Sequence, residues 1–316
     1  MPHRPNRRQM LGRSITAAGT AALWTCSETA SATETADREP FGYCLNTSTI
    51  RGQQLALTAE IDIAARAGYQ GIEPWVREID AHVESGGSVA ELRKRIDDHG
   101  MSVEGLIGFA EWSVDDDARR AKGLDEARRI MDMAAELGAT RFAAPPAGYS
   151  EADKADLDTL AARYRVLLEL GDERDISPQL ELWGFARVLS KLSEVAYVAV
   201  AADHPRASIL ADSYHLYKGG TDYESLRLIS GSGLSGFHIN DYPSEPPRAE
   251  VTDAHRVFPG DGDAPLDTLF RVLRDIGYRG MLSLEVFNRE YWNQDALYIA
   301  RAGLEKTRAA VLHALG

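Results

Sequence analysis

The feature that most constrains this chain is a rhythm. From residue 41 onwards, short apolar runs alternate eight times with longer amphipathic stretches. The runs at 41–46, 71–75, 101–107, 140–144, 177–183, 207–212, 234–239 and 280–286 read as strands. The stretches at 54–67, 88–99, 116–137, 153–174, 188–201, 223–229, 266–276 and 294–315 read as helices. Apolar residues within them recur at spacings of three and four, as in Leu160, Tyr164, Leu167 and Leu168. Eight strand–helix units in series call for a parallel sheet with right-handed crossovers. Closed on itself, that sheet is a single (β/α)8 TIM barrel, an α/β fold of about 250 residues. Residues 41–316 are therefore expected to form one domain, with its chemistry on the loops that follow the strands.

The segment before the barrel has a different build. Arg4, Arg7, Arg8 and Arg13 precede a mildly apolar run from Ile15 to Trp24, and Ala30-Ser31-Ala32 follows as a small-residue cleavage pattern. Asn6-Arg7-Arg8-Gln9-Met10-Leu11 resembles a twin-arginine signal. Residues 1–32 are thus expected to be an export signal, 33–40 a polar linker, and the mature protein periplasmic. A lipoprotein anchored at Cys26 is the weaker reading, because Leu23-Trp24-Thr25 makes a poor lipobox. No stretch carries the roughly 18 uninterrupted apolar residues of a transmembrane helix. With 35 Lys+Arg against 48 Asp+Glu, the net charge is −13, which argues against nucleic acid as a partner. Two cysteines, Cys26 and Cys44, are too few for a disulfide framework or a cysteine-rich zinc site.

Polar residues at the strand ends are Glu73, Glu104, Glu181, Asp212, His238 and Glu285. Four of these close the last four strands: Glu181, Asp212, His238 and Glu285. Adjacent strands lie about 4.8 Å apart, so these four can converge on one ion. Charges that close repel one another unless a cation joins them. Three carboxylates and an imidazole suit a divalent ion of intermediate hardness, with Mn²⁺ first and Co²⁺, Mg²⁺ or Zn²⁺ behind it. Trp75, Trp112, Trp183 and Trp292 fall near the same loops, where indoles can pack on the C–H faces of a sugar or cyclitol, and the first three are singled out. Together with Glu73 they are the expected substrate contacts. No Gly-rich phosphate loop and no basic cluster is visible, so the expected substrate is an unphosphorylated polyol or keto-sugar.

Four motifs carry a family likeness: Asp212-Ser-Tyr-His215, His238-Ile-Asn-Asp241, the run from Thr252 to Gly262, and Ser283-Leu-Glu-Val-Phe287. In these, residues 41–310 resemble the xylose-isomerase-like barrels of the sugar isomerase/epimerase superfamily, and within it the inosose (2-keto-myo-inositol) isomerases most of all. The resemblance implies that Glu181, Asp212, His238 and Glu285 bind one divalent metal. It further implies that Arg256 reaches the substrate or the metal shell, that His215 lines the pocket, and that the protein is a homo-oligomer. Asp241 is expected to orient His238. Two positions depart from the ketose 3-epimerases of the superfamily: Arg187 stands where they carry Glu, and Ser244 where they carry Arg.

Such a site is expected to move a carbonyl through a metal-stabilised enediolate, with Glu181 and Glu285 exchanging the proton and His215 and Arg256 assisting. The reaction is then an isomerisation or epimerisation of a sugar or keto-inositol. The alternative is elimination of a β leaving group from the same enediolate, as in an inosose dehydratase or a 3-keto-glycoside lyase. The loop at 242–263, with its four prolines, is long enough to be a lid or a binding loop.

Overall fold

The computed structural model describes residues 39–316 apart from 151 and 155. The export signal, Cys26 and most of the linker lie outside the described residues. In chain order the elements are β1 (Gly42–Asn46), α1 (Leu57–Ala67), β2 (Gly71–Glu73), α2 (Val76–Glu84), α3 (Val89–Asp98), β3 (Ser102–Val103), α4 (Asp117–Leu137), β4 (Arg141–Ala144) and α5 (Leu157–Asp172). There follow β5 (Ser177–Glu181), α6 (Leu192–Ala201), β6 (Ile209–Asp212), α7 (Ser213–Lys218), β7 (Leu234–Ile239), α8 (Leu266–Asp275), β8 (Met281–Leu284) and α9 (Ala296–Leu315).

All strand pairs are parallel, in the order β3-β2-β1-β8-β7-β6-β5-β4. The two outer strands approach through a parallel bridge between Leu106 and Phe142, and Ala143 N–H donates to the Leu106 carbonyl at 2.9 Å. This is the expected eight-stranded α/β barrel. Its strands are largely buried because helices cover the sheet from outside. The helix α8 shows how: Leu266, Leu269, Phe270, Val272 and Leu273 are buried on one side of it. Each such side chain contributes about 1.5–3 kcal/mol on leaving water.

Several elements differ from the reading of the sequence, the additional short helix α7 among them. β3 is two residues rather than seven, because Arg141 diverts the chain: its Nε donates to the Glu104 carbonyl at 2.7 Å and its Nη2 pairs with the Glu104 carboxylate at 3.0 Å. Helix α2 is additional, with Val76 and Ile79 buried. The stretch 223–228 is a 3₁₀ helix rather than an α-helix. α6 starts at Leu192 rather than 188, since Leu189 adopts a φ of +56° that a helix does not tolerate. Gly68 and Gly138 end α1 and α4 in the left-handed conformation, as a helix-stop glycine should.

Candidate metal centre

The pleat decides which side chains meet. Asp212 pairs with His238 across β6 and β7, and His238 pairs with Ser283 across β7 and β8. Residues two apart share a face, so Glu285 follows Ser283 on the His238 side. Ligand atoms of Asp212, His238 and Glu285 consequently all lie within 4.8 Å of one another, and all three residues are buried.

His238 is set by Glu73 from β2. The Glu73 Oε2 accepts from His238 Nε2 at 2.9 Å, from Ser283 Oγ at 2.7 Å and from Asn46 Nδ2 at 2.9 Å. With Nε2–H committed, Nδ1 carries the free lone pair. It lies 3.4 Å from a Glu285 oxygen and 3.9 Å from an Asp212 oxygen, and among the described residues it has no hydrogen-bond partner. A buried ring nitrogen without a partner, facing two carboxylates, is the donor set of a divalent metal site. Burial opposes a charge on His238, but Glu285 and Glu73 more than offset that and raise its pKa well above the ordinary imidazole value. A metal ion therefore competes with a proton for Nδ1.

Arg256 completes the charge balance. Its Nη1 donates to Asp212 Oδ2 at 3.0 Å and Glu285 Oε2 at 2.8 Å, and its Nη2 donates to His215 Nε2 at 3.0 Å. Burial pushes the Glu285 carboxyl up, yet His238 and Arg256 together hold it down at about 2. His215 is driven well below the usual imidazole range by burial and then by Arg256, so it is neutral; its Nδ1 is buried without a partner. Asp212 also caps α7, accepting from His215 N–H at 2.9 Å.

Glu181, at the end of β5, is buried in the cavity wall but outside the group of three. Burial pushes its carboxyl up to about 8; His238 opposes the shift, and Glu285 and Asp212 reinforce it. Without a cation beside it, the cavity favours its protonated form.

These groups open into a cavity of about 440 Å³ lined by Glu181, His215, Arg256 and Glu285, with aromatic side walls. Neighbouring ring centroids run Phe287–Trp75 at 6.0 Å, Trp75–Phe109 at 5.2 Å, Phe109–Trp183 at 5.9 Å, Trp183–Phe185 at 5.3 Å and Phe185–His215 at 5.4 Å. The rings form a collar around the carboxylates. Phe109 and Phe185 are 43% and 51% exposed, unusual for phenylalanine.

Trp75 and Trp183 therefore stand where the sequence placed them, and three other residues do not. Trp112 is fully buried, donates its Nε1–H to the Pro145 carbonyl at 2.9 Å and packs on Tyr164; it is a core residue and does not line the cavity. Glu73 lies beneath the cavity rather than in its lining, where it is committed to His238. Asp241 does not orient His238. Its carboxylate accepts the backbone N–H groups of Tyr242, Gly260, Gly262 and Ala264, tying together both ends of the long loop. Sequence reasoning missed Asn46, which donates to Glu73 and to Glu285 (3.2 Å) while its Oδ1 accepts from Trp75 Nε1 at 2.9 Å. It also missed Asn240, which donates to Asp212 at 3.1 Å. Asn46 is the sole polar side chain at the end of an apolar strand, which is a legible signal.

Known proteins of this shape carry related chemistry in their names. An inosose isomerase of Bacillus velezensis is 26% identical over 274 residues, covering 85% of this chain and 96% of that protein. A 3-dehydroshikimate dehydratase of Pseudomonas putida is 26% identical over 233 residues; the match takes in 73% of this chain but 36% of that longer protein. The crystal structure of the IOLI protein with a zinc atom superposes with a TM-score of 0.80 at 20% identity, covering 86% of this chain and 98% of that one. Residues 61–310 match the family described as the xylose isomerase-like TIM barrel. The chain belongs to that family.

Proposed function

We propose that this protein is a divalent-metal-dependent isomerase or epimerase of a keto-inositol or keto-sugar. The observation that carries the reading is the buried trio Asp212, His238 and Glu285, with the His238 Nδ1 lone pair directed at two carboxylates. Those three would hold the ion, and Glu181 is a further carboxyl lining the same cavity. Mn²⁺ suits the oxygen-rich set, and Zn²⁺ is the ion named for the IOLI structure. When bound, the ion supplies a Lewis acid that polarises a substrate carbonyl.

The chain's own groups do the rest. The Glu285 carboxylate, ionised through neutral pH, is a proton acceptor at the carbon beside the carbonyl. The Glu181 carboxyl, whose protonated form the cavity favours, is the matching donor on the opposite side of the cavity. The neutral His215 keeps Nε2 as acceptor for Arg256 and so presents Nδ1–H to a substrate oxygen. Arg256 keeps Asp212 and Glu285 together and, with His238, holds Glu285 ionised. The aromatic collar fits the C–H faces of a six-membered polyol and keeps water from the reacting carbon.

A second reading has its own support. A carboxyl held protonated at Glu181 can equally donate to a leaving group on the next carbon, giving a dehydratase or lyase, and one matched relative is named a dehydratase.

Proton NMR in D₂O decides between them, with the Mn²⁺-loaded enzyme and a panel of keto-inositols and 3-keto-glucosides. A keto isomer deuterated beside its carbonyl supports the isomerase, and a dehydrated product or released aglycone supports the lyase. Absence of exchange across the panel counts against both. Elemental analysis should find about one divalent ion per chain in the wild type and none in Asp212→Ala.

A further inference from the structure

Two arginines at this cavity have no hydrogen-bonded or ion-paired partner among the described residues. Arg51 lies on the 3₁₀ helix that follows β1 (Thr47–Gln53), half-buried and facing the cavity. Its guanidinium carbon sits 5.2 Å from the Trp75 ring centroid, 5.2 Å from Phe287 and 5.0 Å from Trp292. Trp292 is itself fixed, donating Nε1–H to the Ser48 carbonyl at 3.0 Å. Among the described residues no hydrogen bond or ion pair holds this guanidinium, and burial lowers its pKa from the usual arginine value. Arg289, on the loop after β8, lines the same cavity from an exposed position.

Stacking on rings occupies the faces of a guanidinium and leaves its in-plane N–H fork for another partner. The fork matches a carboxylate or phosphate in geometry and charge. A cation held half-desolvated without an acceptor is stabilised by an anion that enters the cavity. The topology places it well for this. β1 and β5 lie four strands apart around the ring, so Arg51 stands across the barrel from Glu181.

We propose that Arg51, supported at the rim by Arg289, recognises an anionic substituent of the substrate, a carboxylate or a phosphate ester, on the end remote from Glu181. This rests on the metal-dependent reading above and narrows its substrate class to acidic keto-polyols. The absence of a basic cluster in the sequence does not count against it, because residues 51 and 289 come to one cavity only through the pairing of β1 with β8.

The test uses ligands that carry no carbonyl and so do not react. Methyl glucoside, methyl glucuronide and methyl glucoside 6-phosphate are titrated calorimetrically into metal-loaded wild type, Arg51→Lys, Arg51→Met and Arg289→Met. Near-ultraviolet circular dichroism and metal content confirm that each variant is folded and loaded. The wild type should bind one of the anionic ligands at least about tenfold more tightly than the neutral one. Which of the two it prefers identifies carboxylate or phosphate. Arg51→Met should bring the ligands within about twofold of each other, and Arg51→Lys should retain part of the preference, because it keeps the charge but not the fork. Equal binding by the wild type, binding of none of the ligands, or a preference that survives in Arg51→Met overturns the proposal. Anion preference without turnover of any keto-polyol would leave Arg51's role standing and remove the proposed reaction. Turnover of neutral ketones without that preference would do the reverse.

Discussion

Replacing Glu73 by Gln perturbs the proposed metal centre from behind while leaving Asp212, His238 and Glu285 in place. One oxygen, Oε2, accepts three hydrogen bonds, from His238, Ser283 and Asn46. The amide oxygen of Gln can take the same three, so shape and packing are kept and the negative charge is lost. A hydrogen bond to a charged group is worth about 1.5–3 kcal/mol and a neutral one about 0.5–1.5. The difference, about 1–1.5 kcal/mol, falls on the His238 imidazole, whose basicity Glu73 raises. It corresponds to about a tenfold loss of metal affinity, within the range of about 10–100 known for partners of metal-bound histidines. Chelator competition with Mn²⁺ and Zn²⁺ near neutral pH reads this directly. Thermal unfolding of the metal-free proteins measures separately what the lost charge costs the fold, and circular dichroism confirms that both are folded. A metal affinity within about twofold of wild type would refute the assignment of His238 as a ligand oriented by Glu73.

Other outcomes follow from the same structure. Glu60 on α1 is buried with one oxygen unpartnered, and burial, with Glu78 beside it, lifts its carboxyl to about 9. Between its ordinary value near 4.5 and about 9 the folded chain therefore holds a proton that the unfolded chain releases, so stability falls as pH rises through that window, by at most about 1.4 kcal/mol per pH unit. Glu60→Gln should melt higher than wild type at pH 8 and show a flatter Tm profile between pH 5 and 9; an unchanged slope would refute this. Gly123→Ala, which in an open helix would stabilise by about 1 kcal/mol, should instead destabilise by about 1–3, because a Cβ there would sit 2.5 Å from the Glu111 backbone; denaturant melts give the sign. Trp112→Ala should cost about 3–5 kcal/mol of stability, whereas Trp183→Ala should act mainly on KM, and equal effects on folding would contradict the division between core and cavity. Changing Arg7 and Arg8 to Lys should hold the protein in the cytoplasm, and unaltered periplasmic fractionation would remove the export proposal.

How far the sequence could be read depended on the range of the interaction. Asp212, His238 and Glu285 were legible because a polar residue closing an apolar strand is a local signal and a parallel register carries it to the neighbouring strand. The eight-fold alternation was legible for the same reason. The length of β3 was not, since it depends on an arginine from the following strand. Nor was the work of Glu73: it stands on β2, and only closure through β1 and β8 brings it under His238. Trp112 and Trp183 have similar local contexts, and three-dimensional packing alone separates a ring in the core from one in the collar. Asp241 misled because sequence proximity to His238 suggested a contact, while its four acceptor bonds run to its own loop.

That loop carries Arg256. Its neck is held by the Asp241 carboxylate and by an antiparallel bridge from Asp241 to Val257, and Lys218 Nζ donates to the carbonyls of Arg248 at 2.9 Å, Ala249 at 2.9 Å and Val251 at 2.8 Å. Fixing a residue's backbone costs about 1–2 kcal/mol of conformational entropy. For this loop the cost is met once, when the chain folds, and is not levied again at each encounter with substrate. The guanidinium that the carboxylates need is held in place by the fold itself, so the pocket works as a preset mould, and association should proceed in a single kinetic phase with no closing step behind it.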